Sequence, residues 1–170
     1  MLNPINAEAV IRDGGASGRF PGELHEGVAW WLGACLVVTV KAGRIVVAHD
    51  GQGTSAAFLA RLCRGAVNAQ HYACTVLDFG VADEAALLEA MREAGAVPGV
   101  HVSTTAGEDD TENVRIALYG PDGRPLGEER GLAGIRQLIA ADRVPLPVNE
   151  RAKGHVECYH PFTDNEGDER

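Results

Sequence analysis

The stretch Ile45-Val46-Val47-Ala48-His49-Asp50-Gly51-Gln52-Gly53-Thr54-Ser55 carries the reading on which the fold depends. Four consecutive apolar residues followed by a glycine-rich turn mark a short strand buried on both faces, as in a parallel sheet. Apolar residues then recur at three- and four-residue spacing (Phe58, Leu59, Leu62, Cys63, Ala66, Val67), which predicts a helix over 54–69 with Thr54 or Ser55 as its cap. Further along, the pattern predicts a second strand over 73–77 and a second helix over 83–94. A third strand is predicted over 100–103, a fourth over 114–119 closed by Pro121-Asp122-Gly123, and a last helix over 128–141. Strand-helix-strand-helix-strand is the rhythm of parallel βαβ units. The third and fourth strands are joined too closely for a helical crossover, so that pair should be antiparallel.

Upstream, residues 1–20 carry turn residues (Asp13-Gly14-Gly15, Gly18) and little periodicity, and read as an N-terminal arm. A helix is expected from Pro21 or Glu23 to about Val38, since proline suits a first helical turn. Its run from Val28 to Val40 is apolar nearly all round, with Trp30 and Trp31 adjacent. Neighbours on a helix point about 100° apart, so a single sheet does not bury both rings well. Two readings stay open: the arm covers the pair, or the 23–40 helix offers an interface to a second protomer or another protein. The segment 21–144 forms the predicted domain, and 145–170 reads as a tail with an acidic end at Asp164–Arg170.

The 170 residues carry 15 Lys and Arg against 24 Asp and Glu, a formal net charge of −9. No basic cluster offsets it, which argues against nucleic acid or an anionic membrane as partner. The Val28–Val40 run is too short to span a bilayer. Cys35, Cys63, Cys74 and Cys158 form no CxxC pair, and no leader pattern precedes Met1-Leu2-Asn3. Reduced, mostly buried thiols in a soluble cytoplasmic protein are expected.

In open α/β sheets ligands lie beyond the carboxyl ends of neighbouring strands. Two loops qualify: 49–55 after the first strand and 103–111 after the third. The first opens a helix, so its free amides and the helix dipole suit phosphate, although no lysine follows its glycines as in a Walker loop. On motif strength alone it reads rather as a glycine-rich strand-to-helix turn with Asp50 and Thr54 as local caps. His101, alternating with Val100 and Val102, reads as a hydrogen-bonded sheet residue. His155, Cys158 and His160 match no standard zinc spacing and read as ordinary tail residues, so no metal site is assigned.

These loops resemble motifs of the α-D-phosphohexomutases, the phosphoglucomutases and phosphomannomutases, in their first domain. The family's Gly-x-Asp-x-Arg-x-Ser-Ser stands here as Ala48-His49-Asp50-Gly51-Gln52-Gly53-Thr54-Ser55, with Gln52 in place of the arginine. Arg64-Gly65 on the following helix matches, and Val76-Leu77-Asp78-Phe79-Gly80 resembles the Val-x-Asp-x-Gly strand end, although its Thr-Pro is Glu84-Ala85. The phosphoserine loop, Thr-(Ala/Gly)-Ser-His-Asn-Pro leading into Asn-Gly-x-Lys, corresponds in spacing to Ser103-Thr104-Thr105-Ala106-Gly107-Glu108 and Glu112-Asn113-Val114-Arg115. Thr105 thus takes the phosphoserine position, Ala106 that of the histidine, Gly107 that of the asparagine and Arg115 that of the lysine. Pro21-x-Glu23-Leu24 also matches, and Arg19 is a candidate remnant of Tyr-Asp-Ile-Arg-Gly. The likeness runs over roughly 19–141.

The resemblance implies a three-layer α/β/α sandwich with a mixed four-stranded sheet, order 2-1-3-4, last strand antiparallel. It also implies phosphate-binding roles for Asp50, Gln52, Thr54, Ser55, Ser103, Thr104 and Arg115, and a phosphoacceptor role for Thr105. Against these stand the lost arginine and three acids, Glu108, Asp109 and Asp110, that repel a phosphate dianion. Arg115 keeps a charge but is no base near neutrality. The family's metal, sugar and phosphate loops lie in three further domains, and Asp-Gly-Asp-x-Asp-Arg is absent, so no metal cofactor and no unaided mutase activity are expected. Two functions follow: a catalytically degenerate assembly or regulatory module, or a phosphosugar-linked component in which Thr105 accepts a phosphoryl group or the loops bind a sugar phosphate, completed by another chain.

Overall fold

A computed structural model describes residues 5–69, 73–145 and 150–160. The sheet grows from the buried strand β3 (Arg44–His49), which pairs in parallel with β4 (Thr75–Val81) on one side and β5 (Gly99–Ala106) on the other. Antiparallel to β5 runs β6 (Glu112–Tyr119), so these four strands take the predicted order at the centre. Four strands is nevertheless a correction: among the described residues the sheet has seven, in the order β1-β2-β6-β5-β3-β4-β7.

The additional strands come from the supposed N-terminal arm and the supposed C-terminal tail. After a short helix α1 (Ala7–Val10), β1 (Ile11–Arg12) and β2 (Gly15–Phe20) form a hairpin around Asp13 and Gly14, both at positive φ. This two-residue turn twists with its strands, and Asp-Gly tolerates it well. β2 then pairs along β6, where a Cβ on Gly15 would lie 2.0 Å from the Ile116 carbonyl oxygen. The glycine that made the segment look like loop is what this close pairing requires. At the other edge β7 (His155–Cys158) runs parallel to β4, so residues 155–158 are strand rather than tail. The acidic end at 164–170 lies outside the described residues.

Helices cover both faces. On one lie α2 (Glu26–Val40), α3 (Gly53–Val67) and α5 (Leu132–Ala140), which share a core with Ile45, Val47, Val100 and Val102. On the other lies α4 (Glu84–Glu93), packed with Val46, Ala48 and Leu77. Adjacent β3 residues thus enter opposite cores, as a twofold side-chain period demands, and three layers result.

Boundaries shift for local reasons. Pro21-Gly22-Glu23 is a turn with Gly22 at φ 135°, the Glu23 carboxylate accepts the Arg19 amide, and α2 starts only at Glu26. Gly131, at φ 149°, splits the last predicted helix into a 3-10 turn (Glu128–Arg130) and α5. Neither Thr54 nor Ser55 caps α3; its cap is Gln52, without a side-chain bond. Trp31 is 6% exposed and stacks edge-on against His25, while Trp30 is half-buried against the core. The apolar run is therefore used inside the fold, and this helix presents no exposed large hydrophobic side chain. No helix of the described residues is long and apolar enough to cross a membrane.

Candidate functional site

Asp50 directly follows β3, and its backbone amide continues the ladder to the Val102 carbonyl. Its side chain reaches β5 and its own loop: Oδ2 accepts the Thr104 amide at 2.8 Å and Oδ1 the Gln52 amide at 3.0 Å. Burial pushes the Asp50 carboxyl up, but these two amides, the Ser55 hydroxyl and the His101 imidazole together outweigh it and hold the group below its usual value. Beside it the fully buried Ser55 hydroxyl meets the Thr104 hydroxyl at 2.6 Å. The Thr54 hydroxyl donates to Glu112 Oε1 at 2.7 Å. The structure brings Asp50, Thr54, Ser55 and Thr104 together, where they bond to one another and to Glu112. Glu112, which the motif spacing included without giving it a role, completes the set from β6.

The 103–111 segment is not one open loop. β5 continues through Ala106 and returns as β6, so Ser103, Thr104 and Thr105 are strand residues. The turn is closed by Gly107 and Thr111 and by the Thr111 amide on the Glu108 carbonyl at 3.0 Å. At its centre Asp109 (φ 51°) and Asp110 (φ 58°) are both left-handed, the pattern of a type I′ hairpin turn. Glu108, Asp109 and Asp110 stand exposed at the tip.

The pleat divides the predicted residues. Thr104 shares the α3 face with Val102, and Glu112 shares it with Val114. Ser103 and Thr105 point to the opposite face, with His101. There Thr105 lies across from Asn113, and Asn113 from Arg19 on β2, giving a row Arg19–Asn113–Thr105. The next row is Ser17–Arg115–Ser103, with Arg115 donating to the Asp13 carbonyl at 3.0 Å. Thr105 is exposed, and among the described residues no side chain hydrogen-bonds its hydroxyl. Gln52, the N-cap of α3, is exposed. Only the register of pairing shows these rows, since Arg19 and Thr105 are far apart in sequence.

His101 is buried, with Nε2 donating to the Ala82 carbonyl at 2.7 Å and Nδ1 without a partner. Glu84, where the resemblance has Thr-Pro, opens α4 and accepts the Tyr119 hydroxyl at 2.6 Å. Burial and this carboxylate push the Tyr119 phenol up to about 12. His155 pairs with Glu157 at 2.7 Å, and among the described residues no three His, Cys, Asp or Glu side chains are placed to hold a metal ion. Cys35, Cys63 and Cys74 are buried, each thiol pushed up to about 12 chiefly by burial, while Cys158 is exposed.

Comparisons with known proteins agree with this frame. A family model of the phosphoglucomutase/phosphomannomutase α/β/α domain I matches residues 9–144. The phosphomannomutase of Salmonella typhimurium is 29% identical over 137 residues, 81% of this chain and 29% of that protein. That of Escherichia coli K12 is 26% identical over 140 residues, 82% of this chain and 29% of its own. The chain therefore spans less than a third of these relatives' length. Among solved structures, a phosphoglucomutase/phosphomannomutase family protein from Burkholderia thailandensis superposes with a TM-score of 0.70 at 16% identity, over 92% of this chain and 34% of that one. A second, a phosphomannomutase-like protein from Thermus thermophilus, gives 0.64 at 19% over 84% of this chain and 31% of that one. At those identities the structural likeness is one of fold.

Proposed function

The chain belongs to the phosphoglucomutase/phosphomannomutase family, whose α/β/α domain I it contains, and from that premise we propose that this domain serves assembly or regulation and does not itself transfer phosphoryl groups. The observation that carries the reading is the mutual satisfaction of the strand ends: Asp50 binds the Thr104 amide, Ser55 the Thr104 hydroxyl and Thr54 the Glu112 carboxylate. Groups so paired must break those bonds to receive an anion. Phosphoryl transfer depends on fixed positive charge around the moving group. At the former arginine position Gln52 supplies none, and a charged hydrogen bond is worth about 1.5–3 kcal/mol. The three acids of the hairpin tip oppose an approaching dianion as well. Calorimetric titration with hexose 1-phosphates and 1,6-bisphosphates should give no heat above dilution. Micromolar binding abolished by Asp50→Ala or Thr105→Val would overturn the reading.

A second reading has its own support in the row Arg19–Asn113–Thr105, next to Arg115. Two arginines on the sheet face of an exposed threonine suit a phosphoacceptor or sugar-phosphate site completed by another chain. Its mark is one phosphoryl group added to Thr105 in intact-mass spectra after incubation with a sugar bisphosphate, absent from Thr105→Val.

A further inference from the structure

β7 closes the sheet at one edge, and among the described residues no strand pairs with its outer side. The His155 and Tyr159 amides point inward, to the Cys74 and Asp78 carbonyls. By the strand period the Val156 and Cys158 amides and carbonyls point outward. Val156 is 47% exposed and borders a groove of about 460 Å³ that also touches Leu59, Cys63 and Val67. An unprotected edge of this kind is a template for another strand. It also lies beyond residue 144, outside the part of the chain that the family model matches.

We infer that β7 pairs antiparallel with β7 of a second copy of this chain, about a two-fold axis at Val156. The sequence of the strand is self-complementary in that register. Val156 lies opposite Val156, each with its free amide and carbonyl directed at the other. His155 of one copy lies opposite Glu157 of the other, twice, an imidazole against a carboxylate. Cys158 lies opposite Gly154, where no side chain obstructs the approach. Within one copy His155 and Glu157 already share a sheet face and a 2.7 Å contact, so both are placed on the side where the opposite copy presents its own pair. Pairing shields Val156 and joins two seven-stranded sheets into one. Four-residue strands bury little beside the roughly 1,200–2,000 Å² of stable complexes, so association is weak and depends on concentration.

The inference gives the assembly half of the proposed function a surface and rests on that half. Sedimentation velocity of the full chain, from micromolar to sub-millimolar concentration, should show monomer passing to dimer. Val156→Pro removes an amide that β4 does not use, and should raise the dimer Kd at least about tenfold while the circular dichroism spectrum stays that of the wild type. In the double variant Val156→Cys/Cys158→Ser, the two introduced thiols meet on the axis with their Cα atoms about 5.5 Å apart, within disulfide range. Oxidised glutathione should link them into a covalent dimer. A strict monomer throughout, a dimer indifferent to Val156→Pro, or failure of the introduced thiols to cross-link would each overturn the inference. A monomer leaves the calorimetric test of phosphate binding standing, so the two can fail separately.

Discussion

Asp50 ties two strand ends together through hydrogen bonds to the Thr104 and Gln52 amides. Replacing it by alanine leaves both amides to find water or stay unpaired, and should destabilise the fold by about 1–3 kcal/mol in urea titrations. The sign of its pH dependence follows from a carboxyl held below its unfolded value of about 3.9. Its contribution is full above that value and is lost as pH falls through the folded one, so Asp50→Asn should flatten the acid limb of the stability profile. Ser55→Ala should lower stability by about 1–2 kcal/mol, because the buried hydroxyl that meets Thr104 disappears. Unchanged midpoints in both variants would show the network to be incidental. Asp50, Thr54 and Ser55 were legible as a group because they share one turn of sequence. Glu112, 58 residues from Thr54, was not, since nothing local reports which strand lies alongside.

The crossing of α2 and α3 depends on two glycines at the scale of whole elements. A Cβ on Gly33 would lie 2.1 Å from the Leu62 carbonyl oxygen, and one on Gly65 2.0 Å from that of Trp30. Alanine is the better helix former by about 1 kcal/mol, yet here it forces two backbones apart. Gly33→Ala and Gly65→Ala should each destabilise by about 1–3 kcal/mol or more in thermal or urea unfolding. Gly53→Ala, with open space around it at the start of α3, should be neutral or stabilise by up to about 1 kcal/mol. Equal effects at the three sites would refute the close crossing. In the hairpin, Asp109→Asn/Asp110→Gly installs a favoured type I′ turn and should add up to about 1 kcal/mol; an open loop would show no gain. Central strands were readable because apolar runs reveal them whatever they pair with. β2 was not, because Gly15, Ala16, Ser17 and Gly18 have little strand preference and are ordered by β6. β7 is too short and polar to stand out.

The whole molecule keeps the frame of a phosphohexomutase first domain, with three layers and both site-bearing strand ends at one pole of the sheet. The proposed difference is in the use of that pole. The βαβαβ rhythm gave the parallel units and the antiparallel last pair, and the family resemblance implied the central order β4-β3-β5-β6. Whether residues 103–111 form a loop or a hairpin could not, because spacing records how many residues lie between landmarks and not their hydrogen bonds. The central claim is that Thr105, to which the family resemblance assigns the phosphoserine position, lies in a paired strand beneath three acids and takes up no phosphoryl group. The most direct test is intact-mass spectrometry of the chain and of Thr105→Ser after incubation with hexose 1,6-bisphosphates. Both should keep their unmodified mass; a single added phosphoryl group mapped to residue 105 in either protein would contradict the account.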